Sequence, residues 1–442
     1  MQTLPLLPES PIDSIVAWNG SHPVTRAEFL CHIRGVAAHL PPTGHVLNLC
    51  KSRYWFGVGL FAAISRGILS LMPNAVAPDL IAGLRAEFPD LLCLCDQADT
   101  HHGLPHLIVS DIRPAATPDE MPRIPAEQEA LYVYTSGSTG QPRRHVKTFG
   151  RLCQCAEAEA GHVHAITGAP CAIVGTVPFQ HMYGLESTVF LPLLGAGTLT
   201  SRLPFFPADV AAALAEVPAP RFLVTTPFHL RKLVEADIDF PPIAGIVSAT
   251  APLSAELAIQ AETRLNASIM EIYGSTETGQ IATRRTARED TWRIYDGIEI
   301  DLQANGPVVT GGHLEGPQLL NDVIQIEGDG RFRLLGRNSD IVNVAGKRNS
   351  LASLNQILTH LPGVVDGVFC APHAEQQQEI ARLAAFVVAP ALSAHDLQTA
   401  LLQKIDPIFL PRPIVFLDAL PRERSGKLTA DAQADLMKRY LS

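Results

Sequence analysis

Between Thr25 and Ile272 short apolar runs alternate with segments of helical pattern, and this alternation limits the fold more than any other feature of the chain. Thr25-Arg26-Ala27-Glu28 is a capping box that opens a helix running to about Leu40. Val46-Leu47-Asn48-Leu49-Cys50 reads as a strand and Trp55 to Ser65 as a helix. The rhythm returns with strands at Cys171–Thr176 and Phe222–Thr225, then a helix after Pro227. A strand at Ile243–Ser248, a helix from Leu253 to Leu265 and a strand at Ser268–Ile272 complete it. Such alternation predicts an α/β fold of βαβ units, with largely parallel sheets covered on both faces. Ligands of such sheets lie beyond the carboxyl ends of the strands, where the polar clusters of this sequence fall.

From about Asp296 the texture changes to shorter strand-like runs with Gly and Asp turns, as at Gly328-Asp329-Gly330. The last hundred or so residues read as a small α+β domain with its own core. Strands are expected at Val364–Cys370 and Ala384–Val388, and helices near His395–Lys404 and from Ala430. The expected division is a large N-terminal domain, residues 1–336, and a small mobile C-terminal domain, residues 337–442. With 442 residues, 47% hydrophobic and 18% charged, the composition is that of a globular protein of more than one domain. A net charge of −10 without a long basic run argues against nucleic acid. Phe56 to Met72 is broken by Arg66 and short for a membrane span, so no membrane insertion is expected. The opening Met1-Gln2-Thr3-Leu4-Pro5 lacks the basic start of a signal peptide, and the expectation is a cytoplasmic protein. Eight cysteines in so long a chain suit reduced thiols better than a disulfide framework. His162 and His164 read as a solvated helix end.

Two clusters carry chemistry. Tyr134 to Arg143 follows the apolar run Ala130–Val133 and supplies Thr135, Ser136, Gly137, Ser138, Thr139 and Gly140 before Arg143. Its glycines allow close backbone approach, and its amides and hydroxyls suit phosphate oxygens. The spacing is not that of a P-loop, since no Gly-Lys-Ser/Thr follows. The second cluster, Tyr273-Gly274-Ser275-Thr276-Glu277-Thr278-Gly279, offers an aromatic face, hydroxyl donors and one carboxylate. These groups suit a base, a phosphate and Mg²⁺.

With these two clusters the chain resembles the adenylate-forming superfamily of acyl- and aryl-CoA ligases, luciferases and peptide-synthetase adenylation domains. Five further segments match in the family's order. Pro178-Phe179-Gln180-His181-Met182-Tyr183-Gly184 resembles the border of the carboxylate pocket, and Ala249-Thr250-Ala251-Pro252-Leu253 the turn that holds adenine. Asn321-Asp322 resembles the ribose-binding acid. Gly336-Arg337, followed by Gly346-Lys347-Arg348, resembles the start of the mobile domain. Arg422-Glu423-Arg424-Ser425-Gly426-Lys427-Leu428 resembles the loop of the catalytic lysine. The resemblance implies ATP and Mg²⁺ as cofactors, with Lys427 and Thr276 on the α-phosphate and carboxylate and Glu277 on the metal. It also implies β,γ-phosphate contacts from Thr135–Gly140 and Arg143, and acid-pocket walls at His181, Phe228, Ala249, Ile272, Gly274 and Ile281. A carboxylic acid would become an acyl-adenylate and then pass to a thiol after the small domain turns.

The match departs from the family in three places. Pro142-Arg143-Arg144 replaces the usual Pro-Lys-Gly, exchanging a point cation for a planar fork. The hinge position falls on Ser339 or Asp340. The chain is also short before the phosphate loop. Amino-acid-activating relatives place an Asp soon after the pocket segment, whereas this chain continues Leu185-Glu186-Ser187, which points to an uncharged acid. The resemblance therefore implies an acyl or aryl acid:AMP ligase loading an acyl carrier protein, akin to the compact enzymes of aryl-polyene or pigment pathways. The alternatives are a free-standing CoA ligase, an amino-acid adenylating enzyme and a non-catalytic binding module.

Overall fold

The computed structural model describes residues 2–73, 78–98, 100–118, 120–135, 143–337, 341–344, 347–371, 383–423 and 428–441. They form two compact units. One comprises Met1–Glu299 with Val309–Gln318, the other Ile300–Val308 with Leu319–Ser442.

The first unit contains the α/β architecture expected from the alternation. Its first sheet runs in the order Arg143–Thr148, Glu129–Thr135, Leu69–Met72, His45–Asn48, Leu92–Cys95, His106–Ile108. All neighbours are parallel except Arg143–Thr148, which returns antiparallel on Glu129–Thr135. In the second sheet Gly197–Thr200, Cys171–Gly175, Arg221–Thr225, Gly245–Ser248 and Ile269–Ser275 lie side by side and parallel. Gly279–Arg284 then returns antiparallel on Ile269–Ser275. On its other side Gly197–Thr200 pairs parallel with Ile15–Asn19, on which His22–Thr25 returns antiparallel. The turn between Ile269–Ser275 and Gly279–Arg284 carries the second polar cluster.

Buried apolar side chains explain the layers. The helices Arg26–His39 and Arg53–Ser65 pack Phe29, Ile33, Phe56 and Phe61 into one core, all at most 1% exposed. Thr25 caps the first helix by accepting the Glu28 amide at 3.2 Å. A second core joins Ala255–Leu265 and Pro227–Glu235 to the outer face of the second sheet through Leu230, Leu233, Leu257 and Ala261. Among the described residues no helix is long and apolar enough to cross a membrane.

In the second unit Asp366–Cys370 pairs antiparallel with Ala384–Val388, which pairs parallel with Ile414–Phe416. Leu351–Thr359 and Ala394–Leu402 supply Leu354, Leu358, Leu397 and Leu401 to one core. Leu436 of Ala430–Leu441 enters a separate cluster with Val368 and Phe386. The hairpin Asp322–Gly328 with Arg331–Arg337 belongs to this unit.

Candidate active site

The turn Ser275–Thr278 is built to present two side chains. Ser275 N donates to Thr278 Oγ1 at 3.0 Å and Thr278 N donates back to Ser275 Oγ at 3.3 Å. This reciprocal pair closes the turn and leaves Thr276 and Glu277, both half-buried, at its tip. A bulge at Tyr273/Gly274 brings the strands so close that a Cβ on Gly274 would stand 2.1 Å from the Gly279 carbonyl oxygen. Only glycine fits there. Tyr273 packs its ring 5.5 Å from Trp292, on whose face Arg284 stacks at 4.4 Å.

The strand beneath is locked by Glu271, which is 3% exposed. Its carboxylate accepts from Leu253 N at 2.8 Å, Arg284 Nε at 2.8 Å and Thr286 Oγ1 at 2.6 Å. Leu253 ends the turn Ala249–Leu253, so Glu271 ties that turn to the strand bearing Tyr273. Within the turn Thr250, Ala251 and Pro252 are exposed, and Thr250 adopts φ +77°, a conformation rare for a β-branched residue.

The first hairpin sets Thr135 directly opposite Arg143 at the base of the glycine-rich loop. Arg143 is exposed. Its strand continues inward with His145, whose Nε2 lies 3.6 Å from Glu277 Oε1, and with Lys147, whose Nζ donates to the Glu277 carbonyl at 2.9 Å. The two hairpins thus meet at Glu277. Burial keeps the His145 imidazole below its ordinary pKa, with Glu277 pulling the other way. A neutral imidazole leaves the Glu277 oxygens free for a hard cation, and the half-exposed carboxylate fits Mg²⁺.

Behind Glu277 lies a buried polar cluster that sequence reading missed. Lys147, Arg151, Cys155, Met182, Glu186, Thr278, Gly279 and His313 line one small cavity. Burial pushes Glu186 up to about 7, against the pull of Lys147, and Cys155 Sγ donates to its Oε1 at 3.3 Å. Glu159 rises to about 8, again through burial. Neither of its oxygens has a partner in good hydrogen-bond geometry, although Ser187 and Gln280 lie near enough to oppose the rise in part. Burial lowers His313 to about 4, and its Nε2 has no hydrogen-bond partner among the described residues. Any side chain on Gly279 would meet Glu186 Oε1 at 2.7 Å. Met182, Thr278 and Gly279 fall in recognised motifs, but Lys147, Arg151, Cys155 and His313 fall in none, because the cluster is assembled from four separate segments.

The pocket segment is held at the strand ends by Tyr183, whose hydroxyl donates to the carbonyls of Thr225 at 3.0 Å and Val247 at 3.2 Å. His181 precedes it, half-buried, at the start of Met182–Leu185. Ala249 and Ile272 share one core with Val224 and Val247, and Tyr183 packs against it. Ile281 is fully buried in its strand, whereas Phe228 is 40% exposed, with its ring 5.4 Å from His229. In the second unit Asp322 and Arg337 are register partners. There Asp366 takes both arms of Arg422, each at 2.7 Å, anchoring the segment that leads toward Lys427. Ser136, Gly137, Ser138, Thr139, Gly140, Ser339, Asp340 and Lys427 lie outside the described residues, as do the side chains of Thr135 and Arg337. The expected solvated histidine pair is corrected. His162 and His164 are half-buried, and the His162 ring lies 4.6 Å from Tyr295.

A family model described as AMP-binding enzyme matches residues 24–300, and one described as AMP-binding enzyme C-terminal domain matches residues 354–427. Among curated proteins, 4-coumarate–CoA ligase of Halorhodospira halophila is 30% identical over 310 residues, 66% of this chain and 73% of that protein. Indoleacetate–CoA ligase of Aromatoleum aromaticum is 25% identical over 365 residues, covering 72% and 69%. A putative acyl-coenzyme A synthetase of Emericella nidulans is 24% identical, and the chain spans 61% of its length. Among solved structures, ATP-bound MatB from Rhodopseudomonas palustris has a TM-score of 0.82 at 17% identity, with 98% of both chains covered. The o-succinylbenzoate CoA synthetase (MenE) of Bacillus subtilis, in complex with the acyl-adenylate OSB-AMP, has a TM-score of 0.81 at 19% identity, covering 96% and 95%. These structural likenesses show the fold.

Proposed function

The chain belongs to the AMP-binding enzyme family, as an AMP-forming acid–thiol ligase, and from that premise we propose that it activates an uncharged aromatic or modest acyl carboxylic acid and loads it onto a phosphopantetheine thiol. One carboxylate oxygen of the acid attacks the α-phosphorus of ATP, and the bond to pyrophosphate breaks. The thiol then attacks the acyl carbon, and AMP leaves. Mg²⁺, when bound, neutralises phosphate charge. Glu277 and Thr276 orient the phosphates from one hairpin, and Arg143 and the glycine-rich loop from the other. Asp322 takes the ribose, and Lys427 the α-phosphate and carboxylate.

The preference for an uncharged acid rests on Glu186. It is the carboxylate of the pocket segment, yet it is 4% exposed and accepts from Cys155 within the buried cluster. The segment therefore offers no free carboxylate for a substrate ammonium. Ala249, Ile272 and Phe228 supply apolar walls.

For the acceptor we favour the phosphopantetheine of an acyl carrier protein, of the aryl-polyene or pigment type, on the altered phosphate loop Pro142-Arg143-Arg144. Free CoA is the second reading, favoured by the relatives named as CoA ligases. Acid-dependent ATP–pyrophosphate exchange over benzoic, cinnamic, fatty and amino acids tests the first half. Thioester formation with CoA and with a purified holo carrier protein tests the second. Exchange confined to amino acids would overturn the uncharged-acid reading, and thioester formed only on CoA would overturn the carrier-protein reading.

A further inference from the structure

Lys147 is 4% exposed, and its Nζ donates to the backbone carbonyl of Glu277. Burying an ammonium group is costly, and a buried ion pair is often no more stabilising than well-packed apolar side chains of similar volume in place of both partners. A cation at this position therefore needs a reason other than packing.

The geometry supplies one. The strand Arg143–Thr148 returns from the glycine-rich loop, and the turn Ser275–Thr278 presents Thr276 and Glu277. The two turns belong to different sheets, so nothing in either sheet's backbone pairing fixes one against the other. Lys147 crosses between them. Its counter-charge is Glu186 on the far side of the same cavity, which raises the affinity of the amine for its proton while burial lowers it. Glu186 is in turn fixed by Cys155 at 3.3 Å.

We propose that Lys147 is a positioning residue that holds the Thr276–Glu277 turn in register with the strand leaving the glycine-rich loop, so that the two hairpins act as one phosphate-binding body. The inference rests on the proposed roles of Thr276 and Glu277. Loss of the ammonium would leave the fold intact and let the turn drift. A displacement of the order of 1 Å at reacting groups costs about 100-fold in rate.

The test compares wild type with Lys147→Met. Thermal unfolding should remain cooperative with a lowered midpoint, because Glu186 loses its counter-charge, while kcat for acid-dependent pyrophosphate exchange in the folded variant falls by about 10- to 100-fold. The KM for the acid should stay within about 2-fold, because the pocket walls are untouched. Amide hydrogen exchange over residues 273–284 should quicken in the variant without any substrate. Lys147→Leu, which likewise removes the donor, serves if the first variant does not fold, and the same amide comparison decides. The amide measurement needs no turnover, so an inactive wild type would overturn the proposed function alone. Unchanged protection over 273–284 in a folded variant would overturn this inference alone.

Discussion

Lys147 Nζ stands 2.9 Å from the carbonyl oxygen of Glu277, although 130 residues of chain separate the two. The contact joins the return strand of one sheet's hairpin to the tip of another's. It brings the strand that follows the first polar cluster in sequence against the tip of the second. Parallel sheets collect ligand groups at their carboxyl ends. Here a buried cation links the return strand Arg143–Thr148 of one sheet to the turn Ser275–Thr278 of the other.

Glu277 is assigned to Mg²⁺ on its half-exposed carboxylate beside a neutral His145. Glu277→Gln should therefore raise the Mg²⁺ concentration for half-maximal exchange by at least about 10-fold, the scale on which even outer-shell partners act. Calorimetric titration of ATP without metal should be unchanged. An unaltered Mg²⁺ requirement would remove the metal assignment.

Thr250 holds φ +77° in an exposed turn. Strained backbone of this kind costs of order 1–3 kcal/mol, and glycine relieves it at some cost in unfolded-state entropy. Thr250→Gly should stabilise the first unit by about 1 kcal/mol, measured by denaturant unfolding. A destabilised variant would show that the threonine side chain makes a contact worth more than the strain.

Glu159 sits fully buried with its pKa raised to about 8 from an ordinary 4.5. The folded state thus binds this proton more tightly than the unfolded chain. Stability from this group is fully present below about 4.5 and is lost as pH rises through 8. The loss is on the order of a few kcal/mol. Glu186, raised to about 7, acts in the same direction. Glu159→Gln should flatten much of the fall in unfolding midpoint between pH 5.5 and 8.5. An equally steep fall in the variant would place the titration elsewhere.

Lys427 is assigned by the resemblance of Arg422–Leu428 to the terminal loop of the family. Lys427→Ala should lower acid-dependent exchange by about 100-fold or more, as loss of a transition-state charge partner does. Reaction of supplied acyl-AMP with the thiol should stay close to wild type. Equal loss in both half-reactions would contradict that division of labour.

The sequence made the elements of the first unit legible because their apolar periodicity is strong. The expected strand at Phe222–Thr225 is found at Arg221–Thr225, and the expected helix at Trp55–Ser65 starts two residues earlier, at Arg53. The turn Ser275–Thr278 could be found because a short polar motif marks it, and Ala249–Leu253 through its resemblance to the family's small-residue turn. The strand Arg143–Thr148 could not, since three cationic residues and a histidine among its six residues leave no apolar alternation. Its burial comes from the sheet on which it folds back, a long-range effect that composition does not encode. Glu186 was legible only as the absence of an amino-acid contact. Its real surroundings, Cys155 and the cavity shared with Lys147 and His313, arise from segments that meet only in the fold.

The most direct test of the central claim follows the oxygen atoms. The enzyme is supplied with ATP, Mg²⁺, a thiol acceptor and a turned-over acid labelled with ¹⁸O in its carboxylate, and the products are weighed by mass spectrometry. Activation through an acyl-adenylate transfers one labelled oxygen to AMP and leaves pyrophosphate unlabelled. Label in inorganic phosphate or pyrophosphate, with unlabelled AMP, would contradict the account.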